Sequence, residues 1–468
     1  MNILITTTLN RNMTNAKIKP LCMLKEVERI YYVSDIPGPY FEKVKYYAIP
    51  GRVLKLSNNN SLARWASKFL MSFYLAISKR PDLLMSYGFI PHGINVILIG
   101  RLLHIPVCIN FMGGRFLMQS MNPLLKPILL RMAGMADIIT VTGSDTKGLL
   151  ISEGIEASKI SVISSAIDTA RFFPKPAEKK YDIITAAQLI PGKRIDVFLE
   201  IVSRLKKSGM DIKAMVLGDG CLRKGLEALA EDKGLGQSVY FAGFRQDIET
   251  YLRPSRVFLL PTAREGLSLA MLEAMACGVV PVVSDVDNLS DAVKDRVNGR
   301  LVNRDDIKGF MSAVYELLKD RNFYEACSRE AACSIKKGYT VEIASKKWGK
   351  ILLKPSPPTL SHKWERENWR GGLLRWYARR LMAMGPMEVI YRLTRILNSK
   401  FLYRRALSLD KAEFLVSKPL RKAVFFIDEK DIDFIRTLTP TLSHKWEREL
   451  GCFSHKWERG IVPLDDMK

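Results

Sequence analysis

The 468-residue chain lacks any run of about 18 consecutive apolar residues. The nearest, Gly93 to Phe111, is interrupted by Asn95, Arg101 and His104, so no membrane span is expected. The N-terminus has neither the basic region nor the cleavage site of a secretion signal, and Met1-Asn2-Ile3-Leu4-Ile5 reads as a first strand. Seven cysteines (22, 108, 221, 277, 327, 333 and 452) form no CxxC pair, which excludes a zinc module and suits buried thiols in a reduced cytosol. Histidine is scarce: of five, three fall in a tail repeat, leaving His92 and His104 for any imidazole chemistry.

Acidic residues are also in the minority, and the formal net charge is +24. Residues 1–170 carry 19 Lys and Arg against 10 Asp and Glu, and residues 354–468 carry 23 against 14. A basic N-terminal half suits an anionic membrane surface or phosphorylated acceptors. Nucleic acid is the rival partner, but no RRM, KH or zinc-finger signature is present, so none is expected.

Apolar periodicity supplies the architecture. Strands are expected at Ile3–Thr7, Arg29–Val33, Leu83–Tyr87, Val107–Phe111 and Ile138–Thr142, then at Asp182–Ala186, Lys213–Leu217, Ser238–Ala242, Val257–Leu260 and Val279–Val283. Helical spacing of Leu62, Trp65, Phe69, Phe73 and Ile77 predicts a helix over Ser61–Lys79, with Arg64 and Lys68 outside its stripe. That stripe packs on its own sheet or, alternatively, faces a membrane. Ile195–Lys207 is a second amphipathic helix. The fold class is α/β, two doubly wound Rossmann-like domains facing a cleft, at 1–168 and 169–352, joined through the Pro-bearing segment Ala166–Lys180.

Residues 353–468 differ in character. Pro358–Glu367 recurs unchanged at Pro440–Glu449, and Ser454–Arg459 repeats its centre. Two full copies do not make a solenoid, and the element resembles a translated bacterial intergenic repeat. Between the copies, Leu373–Pro386 resembles the opening of heparinase- or alginate-lyase-like proteins. A partly disordered, irregular helical tail is expected.

The chemistry concentrates in Arg264–Gly278. Glu265 lies in the loop after one buried strand, where ligands of such folds bind. Glu273 lies in a nearly all-apolar helix, where an unpartnered carboxylate costs several kcal/mol; a ligand hydroxyl would supply the partner, or the helix dipole would. Three loops should converge nearby. Lys193 and Arg194 precede the Ile195 helix, whose N-terminus attracts anions. Gly218-Asp219-Gly220 follows a strand, where glycines let a ligand approach the backbone. Gly266-Leu267-Ser268 opens the Glu273 helix. Position 223 is Arg, so the dinucleotide fingerprint is incomplete and a nicotinamide cofactor is not expected.

With these motifs, residues 1–352 resemble a family-4 retaining glycosyltransferase of the GT-B fold: Glu265-x7-Glu273 with Ala274–Gly278, then Lys193, then Gly218–Gly220. The resemblance implies that Glu265 contacts the transferred sugar and is the catalytic residue. It assigns Glu273 to the nucleotide ribose, and Lys193, Gly266, Leu267 and Ser268 to the diphosphate. Arg194 would assist, and Phe244 and Arg245 would lie near the base. Gly113 and Gly114 fall on the acceptor side. The implied donor is a UDP- or GDP-linked sugar, the acceptor a glycan or lipid-linked glycan at the inner face of the cytoplasmic membrane. No cofactor or metal is required, and Asp285-Val286-Asp287 reads as a polar loop. Departures from the family pattern are Gln188 in place of Arg, Thr6–Asn10 in place of a Gly-Gly loop, and Asn110 in place of His. The alternatives are a GT-B epimerase or hydrolase, and a degenerate protein that binds nucleotide sugar without turnover.

Overall fold

The computed structural model describes residues 1–48, 61–114, 118, 119 and 121–353; the repeat-bearing tail, Cys452 included, lies outside them. Two parallel sheets, each covered by helices on both faces, realise the expected fold class. The first contains β1 (Asn2–Thr6), β2 (Arg29–Ser34), β3 (Val44–Ala48), β4 (Leu83–Tyr87), β5 (Val107–Phe111), β6 (Ile138–Val141) and β7 (Ile160–Val162) in the order β3-β2-β1-β4-β5-β6-β7. Its helices are α1 (Arg11–Cys22), α2 (Ser61–Lys79), α3 (Ile94–Leu103), α4 (Lys126–Gly134) and α5 (Ser144–Ser152).

The second sheet contains β8 (Tyr181–Ala186), β9 (Ala214–Leu217), β10 (Val239–Gly243), β11 (Ser255–Leu260), β12 (Val280–Ser284) and β13 (Arg300–Val302) in the order β10-β9-β8-β11-β12-β13. Its helices are α6 (Ile195–Lys207), α7 (Arg223–Asp232), α8 (Glu249–Leu252), α9 (Leu269–Ala276), α10 (Leu289–Ala292), α11 (Ile307–Lys319), α12 (Arg321–Gly338) and α13 (Val341–Leu352).

Strand alternation divides each interior into two layers. Leu4, Leu84 and Ile109 face the layer formed with α2 and α3, while Ile3, Ile5, Met85 and Cys108 face α1. In the second sheet Ile183, Val216 and Leu259 pack under α6 and α11; Ile184, Met215, Phe258 and Leu260 pack under α9 and α12. The final helix leaves the domain it follows. Trp348 of α13, 2% exposed, joins Ile3, Ile5, Ile18 and Leu21 in the core beneath α1, although residues 169–352 read as one domain in the sequence.

Three strands had no counterpart in the expected set: β3, β7 and β13. β3 is the edge strand Val-Lys-Tyr-Tyr-Ala with no buried residue; β7 and β13 are three-residue edge strands. None offers the continuous apolar run of a central parallel strand. The Ser61–Lys79 helix forms as expected and packs on its own sheet: Met71 and Leu75 are buried and Phe69 and Phe73 lie against the core. Lys68 departs from the expectation that it lies outside. It is 3% exposed and its ammonium reaches Asp35 at 2.8 Å, because the helix turns its 67/68/71/72/75 side inward.

Candidate functional site

In each sheet the strand order reverses beside the first strand, between β1 and β4 and between β8 and β11. Ligands of open parallel sheets bind beyond the strand ends at such points. In the second sheet the loops leaving β8 and β11 carry Lys193 and Glu265. Thr262 holds them together: its hydroxyl lies 2.9 Å from the Gly192 carbonyl and 2.8 Å from the Arg264 carbonyl, and the Ala263 amide donates to Gly192 at 3.0 Å. The Lys193 ammonium donates directly to the Glu265 carboxylate. Both side chains keep a solvent-facing edge, at 20% and 15% exposure.

Glu265 is also fixed from behind. Its amide donates to Asp287 Oδ2 at 2.8 Å, and Asp287 adopts φ +47° to reach it. The Asp285-Val286-Asp287 segment is therefore more than a polar loop, since one of its carboxylates anchors the backbone at Glu265. Asp and Asn tolerate the left-handed region better than most residues, a local signal that sequence reading did not use.

The helix that begins at Leu269 is capped at both ends. The Ser268 hydroxyl accepts from the Met271 amide at 3.2 Å. At the other end Gly278, at φ +78°, allows Val279 N to reach Ala274 O at 3.0 Å and Gly278 N to reach Met275 O at 2.9 Å, a Schellman closure. The first amides of this helix have no intrahelical acceptor, and Gly266-Leu267-Ser268 leads into them. Glu273 lies on the same helix, 8% exposed, and its carboxylate makes no side-chain hydrogen bond among the described residues. Burial pushes its carboxyl up to about 8; the Arg171 guanidinium pulls the other way and Glu249 adds to the rise. Arg171 itself is engaged by Glu249 at 2.6 Å. It stands in the segment that the sequence presents only as a linker, and no sequence signal marks it.

Gly218 and Gly220 are required by packing within the protein. A Cβ on Gly218, at φ +130°, would stand 1.9 Å from the Ala187 carbonyl, and one on Gly220 would stand 2.4 Å from the Leu189 carbonyl. These glycines let the loop after β9 close on the loop after β8, where Leu189 N donates to Asp219 O at 2.9 Å. Asp219 pairs with Arg223 at 3.1 Å. Arg194 has protein partners as well: its guanidinium donates to Arg304 O at 2.6 Å and to Asp305 at 3.0 Å. Phe244 and Arg245 are exposed after β10, with Arg245 beside the Tyr251 ring. His92 is 3% exposed, and burial beside Lys68 pushes it down to about 3; His104 is exposed at the end of α3.

Gly113 and Gly114, expected on the acceptor side, lie near Gly266 and Asn288. The Gly113 amide lies 3.8 Å from where a Cβ on Gly266 would stand, and a Cβ on Gly114 would meet Thr146 Oγ1 at 3.2 Å and Asn288 Nδ2 at 3.7 Å. Asn288 is fully buried. It accepts from the Thr146 amide at 3.1 Å and donates to the Thr146 hydroxyl at 2.9 Å. Gly143 leaves room for it, since a Cβ there would stand 2.4 Å from the Asn288 side chain. Next to it, Asp291 accepts from the amide and hydroxyl of Ser144. The second domain thus grips the N-terminus of α5 in the first, where an acidic side chain is favoured. Beside this contact a cavity of about 430 Å³ opens between Gln119 on one side and Arg264, Asp285, Asp287, Asn303 and Arg304 on the other.

Two family models match the chain: Glycosyltransferase Family 4 over residues 26–171 and Glycosyl transferases group 1 over residues 166–333. A GDP-mannose-dependent alpha-(1-6)-phosphatidylinositol monomannoside mannosyltransferase of Mycolicibacterium smegmatis is 25% identical over 221 residues, covering 43% of this chain and 58% of that protein. A UDP-Gal:alpha-D-GlcNAc-diphosphoundecaprenol alpha-1,3-galactosyltransferase of Escherichia coli is 29% identical over 182 residues, covering 36% and 47%. The chain therefore spans about half the length of these curated relatives. Among solved structures, Anabaena HepE in complex with UDP superposes with a TM-score of 0.62 at 15% identity, covering 75% of this chain and all of that one. That likeness carries the fold, and the two models cover consecutive halves of it. The chain shares the GT-B fold, and each of its two halves is matched by a glycosyltransferase family model.

Proposed function

We propose that this protein is a retaining hexosyltransferase that moves a sugar from a nucleoside-diphosphate sugar to a lipid-linked or polysaccharide glycan. The observation that carries the reading is the Lys193–Glu265 pair at the switch point of the second sheet, facing the Gly113 turn of the first. A pyrophosphate arriving beside Lys193 competes with Glu265 for the ammonium and is met by the opening amides of the Leu269 helix. Glu265, released, turns to the hydroxyls of the sugar. As the glycosidic bond breaks, charge grows on the departing phosphate, where Lys193 and the helix terminus already stand. That electrostatic arrangement requires no divalent ion. Buried Glu273 accepts from the ribose, the partner it lacks within the protein.

Relatives named for GDP-mannose and UDP-galactose transfer to lipid-borne acceptors support a nucleotide-sugar donor and a lipid-borne acceptor. The retention of both carboxylates, Glu265 held by Lys193 and Asp287 and Glu273 buried, favours turnover over a degenerate binder or a hydrolase.

The test is a panel of nucleotide sugars with a membrane extract as acceptor source, following release of nucleoside diphosphate by mass spectrometry with and without a chelator. Acceptor-dependent release that survives chelation is expected. Glu265→Gln should lower turnover about 100-fold, the loss of a transition-state contact of roughly 3 kcal/mol. Release independent of acceptor would make the protein a hydrolase, and unchanged turnover in the variant would remove Glu265 from the chemistry.

A further inference from the structure

The first domain carries an exposed apolar face on α3 and α4. The two helices precede the neighbouring strands β5 and β6, so right-handed crossovers bring them to the same side of the sheet, and Arg101 of α3 donates to Met135 O just beyond α4 at 2.8 Å. Leu98 and Leu102 stand one turn apart on α3. Leu124, Ile128 and Met135 recur at helical spacing along α4 and its approach, with Leu125 beside them. All six are exposed, Leu124 at 84% and Leu102 at 64%. Among the described residues these are six of the 18 large apolar side chains that water reaches. Single exposed leucines are ordinary, whereas a third of the total gathered on one helix pair marks an interaction surface.

The charge of this region is one-sided. From residue 83 to residue 136 there is no Asp or Glu, while the same 54 residues hold Arg101, Arg115, Lys126 and Arg131. At the chain's average of 48 acidic residues in 468, about five would be expected. Lys126 is paired with Glu153, and no ion pair engages Arg101 or Arg131 among the described residues. Arg101 and Arg131 therefore flank the leucines as uncompensated cations on exposed positions.

We propose that this α3–α4 face docks on an anionic lipid bilayer. Exposed leucine and isoleucine enter the headgroup boundary while the arginines meet lipid phosphates, the arrangement of an interfacial, non-spanning surface. A second copy of the chain is the less favoured occupant, since self-pairing would set Arg131 and Arg101 against one another. The face also has a place in the reading above, on which its role in catalysis rests. The segment between β5 and α4 begins with Gly113 and Gly114, against the Gly266 loop, and ends with Leu124 and Leu125. A bilayer on this face therefore lies one loop away from the cleft and can present a lipid-borne acceptor to it. The Ser61–Lys79 helix, whose stripe is spent on the core, is not the docking element.

The test is co-sedimentation of the full chain with phosphatidylglycerol-containing and pure phosphatidylcholine vesicles. Three proteins are compared: wild type, Leu124→Ser with Ile128→Ser, and Arg131→Glu. Wild type should bind the anionic vesicles and release them as salt rises from roughly 0.05 to 0.5 M, where surface charges are screened. Both variants should lose binding about tenfold while keeping the wild-type thermal shift on adding UDP or GDP, which shows that they fold. Undiminished binding by both variants overturns the proposal and moves the contact to the basic tail. Equal binding to neutral vesicles, or a concentration-dependent dimer that the variants abolish, overturns it too. Transfer activity reads separately. A chain that binds vesicles through this face but moves no sugar overturns the enzymatic reading alone, and one that glycosylates a water-soluble acceptor yet ignores vesicles overturns the docking face alone.

Discussion

Glu273 shows how burial of a single carboxyl can oppose stability. With the carboxyl pushed up to about 8 in the fold against an ordinary value near 4 in the unfolded chain, folding takes up a proton between these limits. Its contribution to stability is complete at the acid end of that window and is lost as pH rises through about 8. Glu273→Gln removes the ionisable group and keeps the shape. The variant should therefore gain melting temperature over wild type at pH 8 and gain little at pH 5. Nucleotide affinity should fall in the same variant, as ligand-induced thermal shifts would show. An equal stability difference at both pH values would mean that Glu273 is ionised in the fold. Lys193 and Glu265 differ in kind: each is the other's partner, and each keeps an edge open to solvent.

At the scale of elements, the turns that close the loop end of the second sheet depend on glycines that face protein. Gly218→Ala would combine a left-handed backbone with a Cβ 1.9 Å from the Ala187 carbonyl, and neither atom belongs to a flexible side chain. A loss of about 3 kcal/mol or more is expected, measured as a lower denaturant midpoint with unchanged slope. A neutral outcome would require the β9 loop to move away from Ala187. The sequence marked this loop as special without showing the packing reason, because a glycine required by a neighbouring carbonyl and one required by a ligand leave the same trace in a chain. The central strands and the Ile195–Lys207 helix were legible because their apolar runs record burial directly. β3, β7 and β13 were not, because edge strands are recognised by their partners rather than by their own composition.

For the whole molecule, the arrangement of the two domains rests on a few polar contacts, with Asn288 at their centre. Asn288→Ala removes both bonds to Thr146 and leaves the Thr146 amide unsatisfied, a loss of about 1–3 kcal/mol at the interdomain contact. Small-angle scattering should show a larger radius of gyration in the variant, and the thermal transition should broaden or separate. An unchanged scattering profile would mean that α13 alone, through Trp348, holds the halves together. Truncation after Lys354 should leave melting temperature and nucleotide binding as in the full chain, because the two sheets and their covering helices close within residue 353. A truncated chain that does not fold would give the repeat-bearing tail a structural role.

Burial is a local property of composition. For that reason periodicity alone determined that this chain forms two parallel α/β domains, and the run from Arg264 to Gly278 alone marked the candidate site. Partners are not local. Only the tertiary structure decided that Lys193 answers Glu265, that Asp287 anchors the Glu265 amide, that Asn288 seats in the Gly143 gap, and that the last helix returns to the first domain. Each of these contacts joins residues from separate loops or domains, and their meeting is set by strand order and crossover geometry that no single segment contains.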